Sequence, residues 1–146
     1  MIYDRADWHY GGDYPSDLPP QNGGTHIGIF FAWLVSHRLE SDRFELEYST
    51  ELDAIRARQL SGREFIAKCR EGQFDDEELN ETGNAFSRDY YDSEEYFTDY
   101  ARILVGGLPS LYHVDDTWEN YDAMAECLNQ RFANWQKKRR PWWRPW

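Results

Sequence analysis

Cysteine is scarce in this sequence. The chain has only two cysteines among 146 residues, Cys69 and Cys127, and they form no Cys-x-x-Cys pair. We therefore expect neither a disulfide framework nor a structural zinc site built from cysteines. Both cysteines lie in stretches that favour helices, which predicts reduced, partly buried thiols.

Positive charge is also in short supply. Lysine and arginine together number 16, against 27 aspartates and glutamates, and the formal net charge is −11. Because nucleic-acid binding draws on clustered lysine and arginine, we expect no nucleic-acid partner. The acidity favours a basic protein partner, and the alternative is that it serves only solubility.

The sequence has no long hydrophobic run. Its most apolar stretch, Thr25 to Leu39, is interrupted by polar residues such as His26 and Arg38. At about 1.5 Å per residue it is roughly 22 Å long, too short to cross a bilayer. Residues 1–8 lack the basic start and apolar core of a secretory signal, so we expect a cytoplasmic protein with no membrane partner.

Aromatic residues, in contrast, make up 17% of the chain, which favours a core built on rings. Apolar residues follow helical spacing on one side of the stretch Thr25 to Leu39, and further apolar residues fill its other side. We predict a single all-α domain of five to six helices around this buried central helix. Residues 1–24 form a structured loop lid, residues 25–140 the helical body, and residues 141–146 a Trp/Arg/Pro tail.

Start and stop signals place the other helices. A short helix is predicted to open near Thr50, and Ser61 to Glu64 has the spacing of a capping box for the next. Further helices are predicted over 76–91, from residue 92 to about 104, and from Asp116 to Arg140. No strand and no internal repeat is predicted.

Five motifs carry a family resemblance: WHYGGDYP (8–15), THIGIFFAW (25–33), LNETGNAF (79–86), LPSLYH (108–113) and DTWENY (116–121). Together with the Trp-rich end they resemble a family of small bacterial proteins of unknown function. The resemblance transfers no catalytic residue. It implies a context of bacterial competition, in which proteins similar to this one act as immunity partners of secreted toxins.

The first candidate site is a cluster of acidic residues between residues 75 and 95, where Arg88 is the one basic residue. Such a density of one sign speeds the capture of a basic partner, and neighbouring tyrosines would anchor it. The alternative is an ordinary solvated helix face. The predicted partner-binding residues are Asp75, Asp76, Glu77, Glu78, Glu81, Asp89, Tyr90, Tyr91, Asp92, Glu94, Glu95 and Tyr96.

The second candidate is a set of histidines and aspartates from two loops and a helix start: His9, Asp13, His26, His113, Asp115 and Asp116. Imidazole and carboxylate groups bind transition metals or exchange protons near neutral pH. Their spacing matches no local metal signature, so the more ordinary interpretation is that they fasten the amino-terminal loop to helix ends.

Two further segments have alternative interpretations. Gly23-Gly24-Thr25 precedes the central helix and is predicted to supply a threonine N-cap, with an anion site as the alternative. The tail 141–146 interleaves arginine with tryptophan, which suits nucleic acid, a lipid surface or a partner protein. The alternative is that its tryptophans fold back onto the domain.

These observations favour a non-catalytic domain that binds a basic protein, of the kind that neutralises a bacterial toxin. No catalytic residue, metal or cofactor is predicted. The alternative is a metal-dependent or acid–base hydrolase that uses His9, Asp13, His26 and His113.

Overall fold

Helix α1 (Thr25–Ser36) lies at the centre of the protein, and its successive residues from Thr25 to Val35 are all buried. The computed structural model describes residues 1–11 and 14–139. The prediction of a central helix is confirmed, although α1 ends before Leu39. Two residues after its last residue, Arg38 has a φ of 58°, in the left-handed region that does not continue a right-handed helix.

Five further α-helices surround α1 in the described residues, so the prediction of a mostly helical fold is confirmed. They are α2 (Asp42–Arg56), α3 (Gly62–Cys69), α4 (Glu81–Tyr90), α5 (Glu95–Tyr100) and α6 (Trp118–Arg139). A π-helical segment, Ala101–Val105, continues α5 directly. As the capping-box spacing predicts, the Ser61 side chain accepts a hydrogen bond from the Glu64 N–H at the start of α3.

A small antiparallel sheet departs from the all-helical prediction. Strand β1 (Ile2–Arg5) pairs with strand β2 (Gln73–Asp75), so the amino-terminal segment is not entirely loop. Each strand is too short to show an alternating pattern, and the pairing joins segments far apart in sequence. Short 3-10 turns at Ala6–His9 and Pro20–Gly24 then lead to α1.

The starts of α2 and α4 and the N-cap of α1 differ from the predictions. Helix α2 begins at Asp42 and passes through a kink at Tyr48, whereas the sequence predicts a start near Thr50. The helix predicted over 76–91 is a 3-10 turn followed by α4, which Asn80 caps by accepting from the Gly83 N–H. Gly24 occupies the N-cap of α1, and Thr25 is its first helical residue.

The core is built on aromatic rings, as the composition predicts. The rings of Phe31 in α1 and Phe65 in α3 stack with centroids 5.3 Å apart. The buried Trp33 indole donates a hydrogen bond to Asn129 Oδ1 at 2.9 Å, which ties α1 to α6. Both cysteines are free and half-buried, which confirms the expectation of reduced thiols. The tail 141–146 lies outside the described residues.

Candidate functional site

The Asp4 carboxylate is the centre of a buried polar cluster. Its Oδ1 accepts hydrogen bonds from His9 Nε2 at 2.8 Å and from the Arg5 N–H at 2.8 Å. Its Oδ2 accepts from the Tyr91 hydroxyl at 2.6 Å and from His26 Nε2 at 3.2 Å. Only 6% of the Asp4 side chain is exposed, so four donors replace its lost hydration.

Distant parts of the fold assemble this cluster. Asp4 lies on β1, and the 3-10 turn after that strand returns His9 to it. His26 lies in the first turn of α1, and Tyr91 follows the last residue of α4. The position of Asp4 depends on the pairing of β1 with β2, which holds the chain's first residues against the helices.

The cluster keeps Asp4 ionised and His26 neutral. Burial alone would raise the pKa of Asp4, but hydrogen bonds from His26, His9 and Tyr91 outweigh it and hold that pKa well below its usual range. Burial lowers the pKa of His26 despite the nearby carboxylate. Since an ionised Asp4 has no proton to donate, each imidazole must carry its proton on the Nε2 atom that faces the carboxylate.

The second nitrogens of the two imidazoles differ in their surroundings. His9 Nδ1 lies 2.7 Å from the Tyr112 hydroxyl, which donates to it in this tautomer. His26 Nδ1 is buried and has no hydrogen-bond partner among the described residues. The two rings meet edge to face with centroids 4.5 Å apart. The cluster therefore has one fully bonded imidazole and one with a free lone pair.

A cavity of about 210 Å³ lies beside the exposed edge of the cluster. Asp4 and His9 line it on one side, and the carboxylates of Asp92 and Glu94 contribute to its lining as well. His9 retains 17% side-chain exposure, whereas His26 retains 1%. A small molecule or ion that enters this cavity would therefore reach His9 before His26.

The structure brings together only part of the predicted histidine and aspartate set. His9 and His26 share Asp4, but His113 bonds to Ser110 Oγ at 2.8 Å and to Asp17 at 3.2 Å. Asp116 pairs with Arg63, and Asp115 is exposed. Asp13 lies outside the described residues.

Sequence reasoning missed Asp4, the residue that joins the two histidines. It stands in an ordinary Tyr-Asp-Arg context on a four-residue strand. No local signal marks it, because its partners come from residues 9, 26 and 91. Tyr112 was missed for the same reason, although it lies in one of the family-like motifs.

The three tyrosines predicted as anchors lie in the interior. Tyr90, Tyr91 and Tyr96 are all less than 4% exposed. Their hydroxyls donate to internal acceptors, respectively Asp99, Asp4 and the His26 carbonyl. These rings are part of the core and are not available to a partner in this structure.

Two of the predicted acids are buried as well. Asp75 caps the turn that follows β2 by accepting from the Glu77 N–H, and Glu78 accepts from Arg70 Nε at 2.9 Å. Burial raises the pKa of Glu78 to about 8, although the Arg70 guanidinium opposes the rise. Asp75 thus caps the turn between β2 and α4, Glu78 joins that turn to Arg70 at the end of α3, and both side chains contribute little surface charge.

The remaining acids divide into two groups at opposite ends of α4. Asp76, Glu77 and Glu81 lie at its amino end, and the other group follows near its carboxyl end. The members of that second group are Asp89, Asp92, Glu94 and Glu95. From residue 81 to residue 89 the helix rises by roughly 12 Å, so the two groups are separate patches on the scale of a Debye length.

Cations neutralise some of these acids. Asp76 pairs with the amino terminus at 3.0 Å, and Glu95 lies 3.6 Å from Arg131. Among the ion pairs of residues 1–11 and 14–139, none involves Glu77, Glu81, Asp89, Asp92 or Glu94, but the Asp89 carboxylate accepts a hydrogen bond from Trp135 Nε1 at 2.8 Å. The other four exposed carboxylates, Glu77, Glu81, Asp92 and Glu94, form what we call the acidic surface.

No helix within the described ranges combines the length and the apolar character needed to cross a membrane. Comparison with curated proteins found no match, and comparison with solved structures found none either. A family model described as a domain of unknown function (DUF7832) matches residues 2–114. This range includes Asp4, His9, His26 and the whole acidic surface, and it ends before the DTWENY motif and α6. The expectation of a family of unknown function is confirmed, and the chain belongs to the DUF7832 family.

Proposed function

We propose that this protein is a non-catalytic domain that binds a basic protein through the acidic surface. One observation carries the proposal: Glu77, Glu81, Asp92 and Glu94 are exposed and have no cation partner among the described residues. Unpaired surface carboxylates in a chain of net charge −11 produce a negative field at both ends of α4.

Such a field favours a fast encounter with a positively charged partner. Attraction between complementary charges raises association rates well above those of neutral surfaces, and salt weakens the effect. The two patches would contact two separate basic regions of the partner. This arrangement adds specificity, because a partner must match their spacing of roughly 12 Å along α4.

The partner class that we propose is a bacterial toxin, with this protein as its immunity protein in the cytoplasm. Toxins that attack nucleic acid need a basic surface to grip their substrate, and an acidic protein that covers this surface blocks the reaction. The resemblance of the motifs to a family that includes immunity-like proteins supports the same context.

Capture from an extract of the source cell tests the proposal. Wild-type protein on a resin is expected to retain a basic protein that the variant E77K/E81K/E94K loses. The matched control is E47K/E119K/E126K, which has the same net charge but changes exposed acids elsewhere, one of them also in the first turn of a helix. The proposal is contradicted if wild type, E77K/E81K/E94K and the control all retain the same protein. It is also contradicted if neither wild type nor the control retains one.

A hydrolase is the second candidate that we propose, and the hydrogen-bond chain from Tyr112 through His9 to Asp4 favours it. This chain has the order of a hydroxyl, a base and an orienting acid. His113 and Asp13 play no part in this version of the candidate. If the protein is a hydrolase, wild type should hydrolyse p-nitrophenyl acetate or p-nitrophenyl phosphate. His9→Gln should abolish this activity, and His37→Gln should retain it. Absence of hydrolysis in the wild type contradicts this candidate.

A further inference from the structure

We infer that Asp4, His9 and His26 form a binding site for one divalent transition-metal ion, with Zn²⁺ as the first ion to test. This inference goes beyond the docking proposal and does not rest on it. It also departs from the expectation of no metal that the sequence favours, because that expectation did not include Asp4.

The spacing of the donor atoms fits a single ion. One ligand atom from each of the three residues lies within 4.8 Å of the other two. The Nε2 atoms of His9 and His26 are 2.8 Å and 3.2 Å from the Asp4 oxygens. A tetrahedral zinc ion with bonds of about 2.0–2.1 Å holds its ligand atoms roughly 3.3 Å apart, so small side-chain shifts would suffice to bind it.

The chemistry of the donors selects the class of metal. Two imidazoles and one carboxylate, with no thiolate, suit Zn²⁺, Fe²⁺, Co²⁺ or Ni²⁺ better than Ca²⁺ or Mg²⁺, which prefer oxygen ligands alone. Asp4 supplies the negative charge that offsets part of the ion's charge in a buried place. Three protein ligands leave further coordination positions, and the cavity of about 210 Å³ beside them has room for water or a small ligand.

Metal binding requires a change of tautomer at both imidazoles. Each loses its Nε2 proton to solvent and takes up a proton at Nδ1, so its net charge stays the same. His9 can then donate from Nδ1 to the Tyr112 oxygen at 2.7 Å, which is the outer hydrogen bond that metal-bound histidines commonly make.

The buried His26 lacks this outer hydrogen bond among the described residues. Loss of such a bond typically lowers metal affinity by about ten- to a hundredfold. We therefore expect weaker binding than in a structural zinc site with complete outer bonds.

The surroundings of the site favour the entry of a cation. Asp92 and Glu94 line the cavity through which His9 and Asp4 are reached. Both carboxylates are exposed and raise the local concentration of cations near the opening. His26 lies on the core side of the cluster, where its ring centroid is 6.2 Å from that of the buried Tyr100.

Zinc titration of the chelator-treated full-length protein tests the inference. Calorimetry is expected to show one Zn²⁺ per chain, and Co²⁺ is expected to give the visible absorption of a nitrogen- and oxygen-ligated ion. His9→Gln should weaken Zn²⁺ binding at least tenfold, since one of three ligands is lost. The matched control H37Q/H113Q changes the two remaining histidines and should bind as the wild type does.

An NMR measurement on the wild type keeps the test independent of whether a variant folds. Zn²⁺ should shift the imidazole signals of His9 and His26 and leave those of His37 and His113 in place. The inference is overturned if neither Zn²⁺ nor Co²⁺ binds in a one-to-one ratio, if His9→Gln binds as tightly as wild type, or if the signals of His37 or His113 shift instead.

Discussion

Gly28→Ala is expected to lower the free energy of unfolding by about 3 kcal/mol or more, or to prevent folding. Helices α1 and α3 cross where Gly28 meets Gly62 and Arg63. A Cβ atom at residue 28 would overlap the backbone nitrogen of Arg63 and lie 2.5 Å from its Cα. The clashing atoms are backbone atoms, which no rotamer change can move away.

The same crossing makes Gly62 equally intolerant, because a Cβ there would overlap the Gly28 carbonyl oxygen. Separation of the two helices would also open the stack of Phe31 on Phe65. The loss of core packing adds to the steric cost, which is why we expect the upper end of the range for overpacked sites.

Urea unfolding followed by far-UV circular dichroism measures this effect. Gly107→Ala is the matched control, since a Cβ at residue 107 meets no atom within 4 Å. We expect the control to differ from wild type by less than about 0.5 kcal/mol, as ordinary surface substitutions do. A Gly28→Ala protein with the stability of the control would show that the two helices do not cross as closely as the structure has them.

Asp4→Ala is expected to cost roughly 3–5 kcal/mol, because it removes the shared acceptor of a buried hydrogen-bond network. The substitution leaves the Tyr91 hydroxyl and the two imidazole Nε2–H groups without their acceptor. Each buried donor that loses its partner contributes about 1–3 kcal/mol, and partial relaxation makes the sum smaller than the separate costs.

Asp7→Ala provides the comparison for this variant. Asp7 also accepts hydrogen bonds from an arginine, but its side chain is 53% exposed, so we expect little change in the free energy of unfolding. Denaturant unfolding at pH 7 separates the two expectations. Equal stability of the two variants would mean that Asp4 does not hold the cluster together.

Local sequence signals were sufficient for the helices. Apolar residues on all sides of Thr25 to Val35 predict a surrounded helix, and the structure buries every one of these residues. Ser61 caps α3 as its spacing predicts. Such features depend on residues within one or two turns, which is the range over which hydrophobic period and capping act.

Features that depend on contacts between distant segments were not predicted. The pairing of β1 with β2 joins residues about seventy positions apart, and neither strand is long enough to show alternation. The joining of His9 with His26 through Asp4 depends on that pairing. Histidine positions alone therefore could not distinguish the true cluster from His113, which bonds elsewhere.

The acidic cluster shows a different limit of sequence reasoning. Its members are close in sequence, but α4 separates them into two groups, and the turn before α4 buries Asp75 and Glu78. The burial of Tyr90 follows from helical spacing, since it lies one turn after the core residue Phe86 and stacks on it. An apolar neighbour four residues earlier was the available signal for a core position.

Surface plasmon resonance over a series of salt concentrations can measure how fast the captured basic partner binds, and so whether it binds through the acidic surface. We expect the association rate constant of wild type to fall as salt rises. At low salt, E77K/E81K/E94K should reduce it at least tenfold, whereas E47K/E119K/E126K should change it little. Equal rate constants for the two triple variants, or a wild-type rate that does not depend on salt, would contradict binding through the acidic surface.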